Sequence, residues 1–287
     1  LLARSDGSPR IKRDRADALS YLGNVAVMQG DLPTALDYYQ QNADVIRGLL
    51  QKDQDDARWL NDLAFAVQLL AETSALTGDL DTASAYVDEA SALFESLVAR
   101  DATNRNWLRA SVRPRITRAQ ILAARQRWNE ALDVIASSVS LLEGMIGEGS
   151  ADLNVRNQYA HALAVKAWAH HASGEAGPAL ASVEGALSEL EKIEKADRLN
   201  DERLGLYASL YAQRGEINLA AGEDDAAAED WRQAHDLLKE KAPGSQSPFL
   251  LDPWVRVLAR MDRRSEAGAV SDALHARRYK PLMPWPD

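Results

Sequence analysis

The chain has 287 residues, with 33 basic and 43 acidic side chains, a formal charge of -10 and no cysteine. Without cysteine there is no disulfide framework, no thiolate metal site and no cysteine nucleophile, and the redox compartment stays open. No run approaches the roughly 18 apolar residues that a membrane helix needs, and Leu1–Gly30 lacks the apolar core of a secretory leader.

Apolar side chains recur at helical spacing along nearly the whole chain, most clearly at Ala83, Val87, Ala90, Phe94, Leu97 and Val98. No β-branched run with period-two alternation stands between turn residues, so the class is all-α. The breaks come at Gly30-Asp31, Gly78-Asp79, Gly174-Glu175 and Gly222-Glu223, on a spacing of 48 or twice 48. Gln126 holds the skipped position. Five residues after each break stand Ala35, Ala83, Ala131, Ala179 and Ala227; seven before it stand Gly23, Ala71, Ala119, Ala167 and Gly215. Small residues on both sides of a tight turn let two antiparallel helices approach closely, and a fixed period stacks such hairpins. Asp53-x5-Trp59 returns as Asp101-x5-Trp107 in the connections.

In chain order, residues 1–7 read as the end of a preceding repeat, because Leu1-Leu2-Ala3-Arg4-Ser5 echoes Leu49–Asp53 and Leu97–Asp101. Residues 8–242 read as five hairpins with helices of about twenty residues, each about 30 Å long. Pro114 is expected to start or kink a helix in the third. Residues 243–287 read as a shorter capping hairpin, opened by Ser247-Pro248 and resumed near Arg264. The proline-rich tail Tyr279–Pro286 is expected to lie extended against that last pair.

The pattern resembles the tetratricopeptide repeat at Leu19, Leu22, Gly23, Gly30, Ala35 and Tyr39, and again at Tyr211, Gly215, Gly222, Ala227, Trp231 and Ala234. It departs from the family in length, since the usual repeat has about 34 residues, and in the charged Arg115, Arg118, Lys166 and Arg214 at slots the family fills with large apolar side chains. The resemblance implies an α-solenoid, a right-handed superhelix of antiparallel hairpins whose first helices line a concave groove. Carried onto this sequence, the lining is Ser20, Asn24, Gln68, Glu72, Arg113, Gln120, His161, Trp168, His171, Ser209 and Glu216. The partner-binding candidates among them are Gln68, Glu72, Arg113, Gln120, His161, Trp168, His171 and Glu216, with Trp168 as an apolar anchor and the rest as hydrogen-bonding groups for a peptide or a partner domain.

No phosphate loop, nucleophile elbow or zincin motif occurs, so no catalytic residue, cofactor or metal is assigned. His171 with Glu175, flanked by His170 and His161, is the best metal candidate, but Glu175 falls at a predicted helix end and histidines capping a helix explain the set. Arg105, Arg109, Arg113, Arg115, Arg118, Arg125 and Arg127 form a basic run. It faces a net negative chain with Glu223, Asp224, Asp225, Glu229 and Asp230 clustered later, which favours contacts between helices or an acidic partner over nucleic acid. Trp59, Trp107, Trp128 and Trp231 read as packing residues. Long repeats with these connections look like the C-terminal arrays of large bacterial signalling proteins. The function expected is therefore a non-catalytic interaction scaffold or sensor segment that binds a protein or peptide partner without membrane insertion. The alternative is a small-ligand-sensing domain of a transcription activator. Oligomeric state and compartment are not readable from these residues.

Overall fold

A computed structural model describes residues 8–147, 152–197 and 199–286, so the expectation for residues 1–7 lies outside it. The regular structure of the described residues is helical, with a short 3-10 turn at Ala242–Gly244 and no strand. The helices are α1 (Pro9–Met28), α2 (Leu32–Leu50), α3 (Ala57–Leu76), α4 (Leu80–Arg100), α5 (Arg105–Ala110), α6 (Val112–Ala124), α7 (Trp128–Gly147), α8 (Leu153–Ala172), α9 (Ala176–Ala196), α10 (Asp201–Ala220), α11 (Asp224–Leu238), α12 (Pro248–Arg260) and α13 (Arg264–Ala276).

One local device makes the five internal turns. Gly30, Gly78, Gly174 and Gly222 sit at φ between 70° and 82°, and Gln126 takes the same left-handed conformation at φ 59°. The amide just beyond each turn residue returns to the last helical turn: Asp31 to Ala26 O, Asp79 to Ser74 O, Arg127 to Leu122 O, Glu175 to His170 O and Glu223 to Asn218 O, all at 2.8–3.1 Å. These bonds satisfy carbonyls that a helix end leaves orphaned. Asp31 and Asp79 then cap the next helix by accepting from the amides of Thr34 and Thr82. Glycine takes the left-handed φ freely, whereas at Gln126 a β-carbon must be accommodated at a cost of about 1 kcal/mol.

Two compact units divide the chain. The N-terminal unit runs to Thr117 and includes Arg278–Lys280. In it α1 pairs with α2 and α3 with α4, and α2 also packs on α3. Leu60 and Ala64 of α3 meet Phe94 and Leu97 of α4 and Ala110 of α5 in one buried cluster, with Phe65 set edge-on to Phe94 at 5.3 Å. Each fully buried large side chain here contributes about 1.5–3 kcal/mol. Pro114 ends α5: its ring excludes a helical carbonyl four residues earlier, at Ala110, and the chain turns at Ser111 before α6. Tyr279 is buried, Lys280 donates its amide to Leu76 O at 2.8 Å, and its stem covers Gly78. Lys280 thus holds the start of the tail on the end of α3.

The C-terminal unit takes Arg118–Arg277 and Pro281 onward. Within it α7 packs on α8, α8 on α9, α10 on α9 and α11, and α12 on α10, α11 and α13. Gly215 lies under the Trp231 indole, where a β-carbon would stand 2.4 Å from Nε1; in the N-terminal unit Gly23 lies under the Tyr39 ring at 2.3 Å. Both pairs occupy one slot of the 48-residue period. The slot carries glycine where the second helix brings an aromatic ring and alanine where it brings Val87, Ile135 or Val183. The rest of the tail is held on α12, where Arg256 donates to Met283 O and to Pro284 O, and Trp285 Nε1 donates to Asp252 at 2.8 Å.

Candidate partner-binding site

In the N-terminal unit the first helices of successive hairpins enclose a cleft of about 330 Å³. Arg13 comes from α1; Arg58, Asn61, Asp62 and Phe65 from α3; Asn106, Trp107 and Arg109 from α5, with Asn104 as its cap. Helical spacing accounts for the lining, because Asn61 and Phe65 are four residues apart on α3 and Arg109 lies one 48-residue period beyond Asn61. Asn104 is spent on the Trp107 amide at 3.2 Å, and Arg58 on Asp56, whose carboxyl it pulls down to about 2.

Two polar atoms of the cleft are not spent. Asp62 Oδ2 is buried and accepts no hydrogen bond, with Arg13 Nε no nearer than 3.4 Å, and Arg109 Nε is buried and donates none. Burial raises the Asp62 carboxyl above its ordinary value, against the opposing pull of Arg13. A carboxylate oxygen that faces Arg13 but accepts no hydrogen bond, and a guanidinium N–H that donates none, beside the apolar faces of Phe65 and Trp107, form a site matched to a group that both donates and accepts hydrogen bonds.

The residues expected to bind a partner are placed as follows. Gln68 and Glu72 continue the Asn61–Phe65 line along α3. Gln68 is fully buried and bonds Glu72 and Thr117, while Glu72 receives both a Nε and a Nη2 bond from Arg113 at 2.7–2.8 Å. Gln120 is half-buried on α6. In the C-terminal unit Trp168 is only 8% exposed and packs edge-on against Trp128 at 5.9 Å, so little of its ring is presented. His161 approaches Glu202 at 3.6 Å. Burial lowers the His171 pKa while Glu216 pulls the other way, and Glu216 is itself held by Arg260 through two bonds at 2.5–2.7 Å. Glu175 pairs with His170 at 2.6 Å and not with His171, and no cluster of three metal-ligating side chains exists among the described residues. No helix among them is long and apolar enough to cross a membrane.

Asp62 and Asn61 were not among the expected lining, and Arg109 entered only as one of a basic run. The expected lining starts about one helical turn further along each first helix. The available signal was the period itself, which aligns Arg13, Asn61 and Arg109 in one slot.

No family model matches the chain, and no curated protein matches it. Among solved structures it is similar to BtubC from P. vanneervenii, at 15% identity and TM-score 0.55, covering 89% of this chain and 96% of that one. The apo form of RapI matches at 9% identity and TM-score 0.55 over 92% and 97% of the two chains. A Rap protein complexed with Competence and Sporulation Factor matches at 13% and TM-score 0.53 over 92% and 75%. At these identities the likeness concerns the fold: the chain is an all-α, tetratricopeptide-like array of sequential helix hairpins.

Proposed function

We propose that the chain is a non-catalytic interaction module that holds an extended peptide segment of a protein partner on the first-helix face of its N-terminal unit. The observation that carries this reading is the unspent pair, Asp62 Oδ2 and Arg109 Nε, in one cleft. A peptide group offers an N–H to the carboxylate and a C=O to the guanidinium, and Phe65 and Trp107 can wall a side chain beside it. The segment then runs along α3 toward Glu72 and Arg113. A Rap protein of this fold is complexed with Competence and Sporulation Factor, which supports the use of such an array as a receptor. The repeat-level resemblance is consistent with the further reading of the module as the scaffold or sensor segment of a bacterial signalling protein.

The test is selection of displayed random peptides on the intact chain, counter-selected on Arg109→Ala. Enriched sequences that bind the parent and lose at least about tenfold in affinity on Arg109→Ala, with the melting temperature unchanged, support the reading. Enrichment that ignores Arg109, or none, contradicts it. The cleft volume lies at the lower end of small-molecule sites, so a metabolite that stabilises the parent but not Arg109→Ala would favour the small-ligand sensor instead.

A further inference from the structure

The first helix exposes an apolar face, two positions of which the first helices of the four later 48-residue repeats bury. Ile11, Ala18, Leu22 and Val25 fall within one narrow arc of α1, and all are exposed; Ile11 is 43%, Leu22 46% and Val25 47% exposed, with Tyr21 at 77% beside them. The period of 48 gives the counterparts: Leu22 corresponds to the buried Leu70 and then to the half-buried Arg118, Lys166 and Arg214. Val25 corresponds to Thr73, Ile121, Ala169 and Ile217, which are 0–3% exposed. Ala18 corresponds to Ala66, Pro114, Ala162 and Leu210, all buried. In the N-terminal unit the helix packed ahead of α3 is α2, the second helix of the preceding hairpin. The last helix is built differently: α13 exposes Arg264, Ser265, Glu266 and Asp272 and no large apolar side chain. A solenoid needs a polar outer face where it stops, and a stripe of branched apolar residues is the face it uses to continue.

We propose that the Ile11–Val25 face of α1 seats the second helix of a further hairpin of the 48-residue kind, lying immediately before α1 in the same polypeptide. The α2–α3 interface supplies the geometry, since it recurs one period on from this face. The source is indicated by sequence: Leu1-Leu2-Ala3-Arg4 repeats, at one and two periods, the Leu49–Lys52 and Leu97–Arg100 stretches that close α2 and α4. This inference is independent of the cleft.

The test duplicates the interface within the chain. A copy of residues 9–56 inserted directly before Pro9 places a second α2 in register with the original α1. The extended chain is expected to melt at least about 5 °C higher, and the amides of the original α1 are expected to exchange at least about tenfold more slowly. Val25→Arg in the original α1 is expected to abolish both gains, while the same substitution in the unextended chain leaves its melting temperature within about 2 °C. An extended chain that melts no higher, or whose original α1 gains no protection, overturns the proposal. So does an unextended chain that is a dimer dissociated by Val25→Arg, because the face would then belong to a second copy.

Discussion

The first-helix faces of the two units are made of the same residue types and differ in what those residues are doing. In the C-terminal unit the charged groups are largely spent, although Asn157 Oδ1 and Gln158 Oε1 of α8 are buried without a hydrogen bond. Asp230, nearly fully buried, takes two bonds from Arg214 and one from Asn218; Arg260 clamps Glu216; Trp168 is buried on Trp128. In the N-terminal unit Glu72 and Arg113 are spent in the same way and Gln68 is spent through its Nε2, but toward the start of these helices Asp62 Oδ2 and Arg109 Nε make no hydrogen bond. The lesson is that charge and aromatic content do not identify a binding face in a repeat array. Most of its charged groups hold one helix to the next, and the informative ones are buried without a partner.

The sharpest way to break this comparison is to remove a spent group. Asp230→Ala leaves Arg214 and Asn218 without their acceptor, and denaturant unfolding is expected to show a loss of about 3–5 kcal/mol; a loss below 1 kcal/mol would mean that the network contributes little. Arg113→Ala removes a half-exposed bidentate pair with Glu72, so solvent screening limits the cost to about 1 kcal/mol. Asp62→Asn is expected to cost nothing and to stabilise by up to about 1 kcal/mol, because it relieves a buried carboxylate with no hydrogen bond at the orphaned oxygen. The sign also appears in the pH dependence. A raised carboxyl makes the folded state bind more protons than the unfolded one between the ordinary and the raised values, so its contribution to stability falls as pH rises through that window. His171 acts oppositely: its pKa is depressed, so stability falls as pH drops below about 6.5. Urea melts across pH 4–8 of the parent, Asp62→Asn and His171→Gln should separate the two slopes.

Much of the fold was legible because the turn chemistry repeats. A glycine able to take positive φ, an acidic residue after it and small residues on both sides fixed the hairpins, and even Gln126 was located by period alone. Pro114 announced the break between α5 and α6. Gly23 and Gly215, set against Tyr39 and Trp231, show how the period also carries packing information: the small slot shrinks to glycine only where a ring must be accommodated. Less of the site was legible. Which side chain of a mixed face is spent depends on partners about 40–50 residues away, as Arg113 with Glu72 and Arg260 with Glu216 show, and one sequence does not display such pairing. Trp168 looked presentable because its slot faces the groove, but Trp128 covers it. The tail is expected to lie extended against the last pair; Met283–Trp285 are held on α12, but Lys280 bonds Leu76 of α3, a contact between residues about 200 positions apart.

We propose the cleft of the N-terminal unit as the binding face. The most direct measurement is the affinity of one selected peptide, by calorimetry, for the parent, Arg109→Ala, Asp62→Asn and, as a counterpart on the other face, Glu216→Gln. At least about a tenfold loss is expected for each cleft substitution, with an unchanged affinity for Glu216→Gln. Equal binding by the cleft variants, or a loss confined to Glu216→Gln, would contradict it.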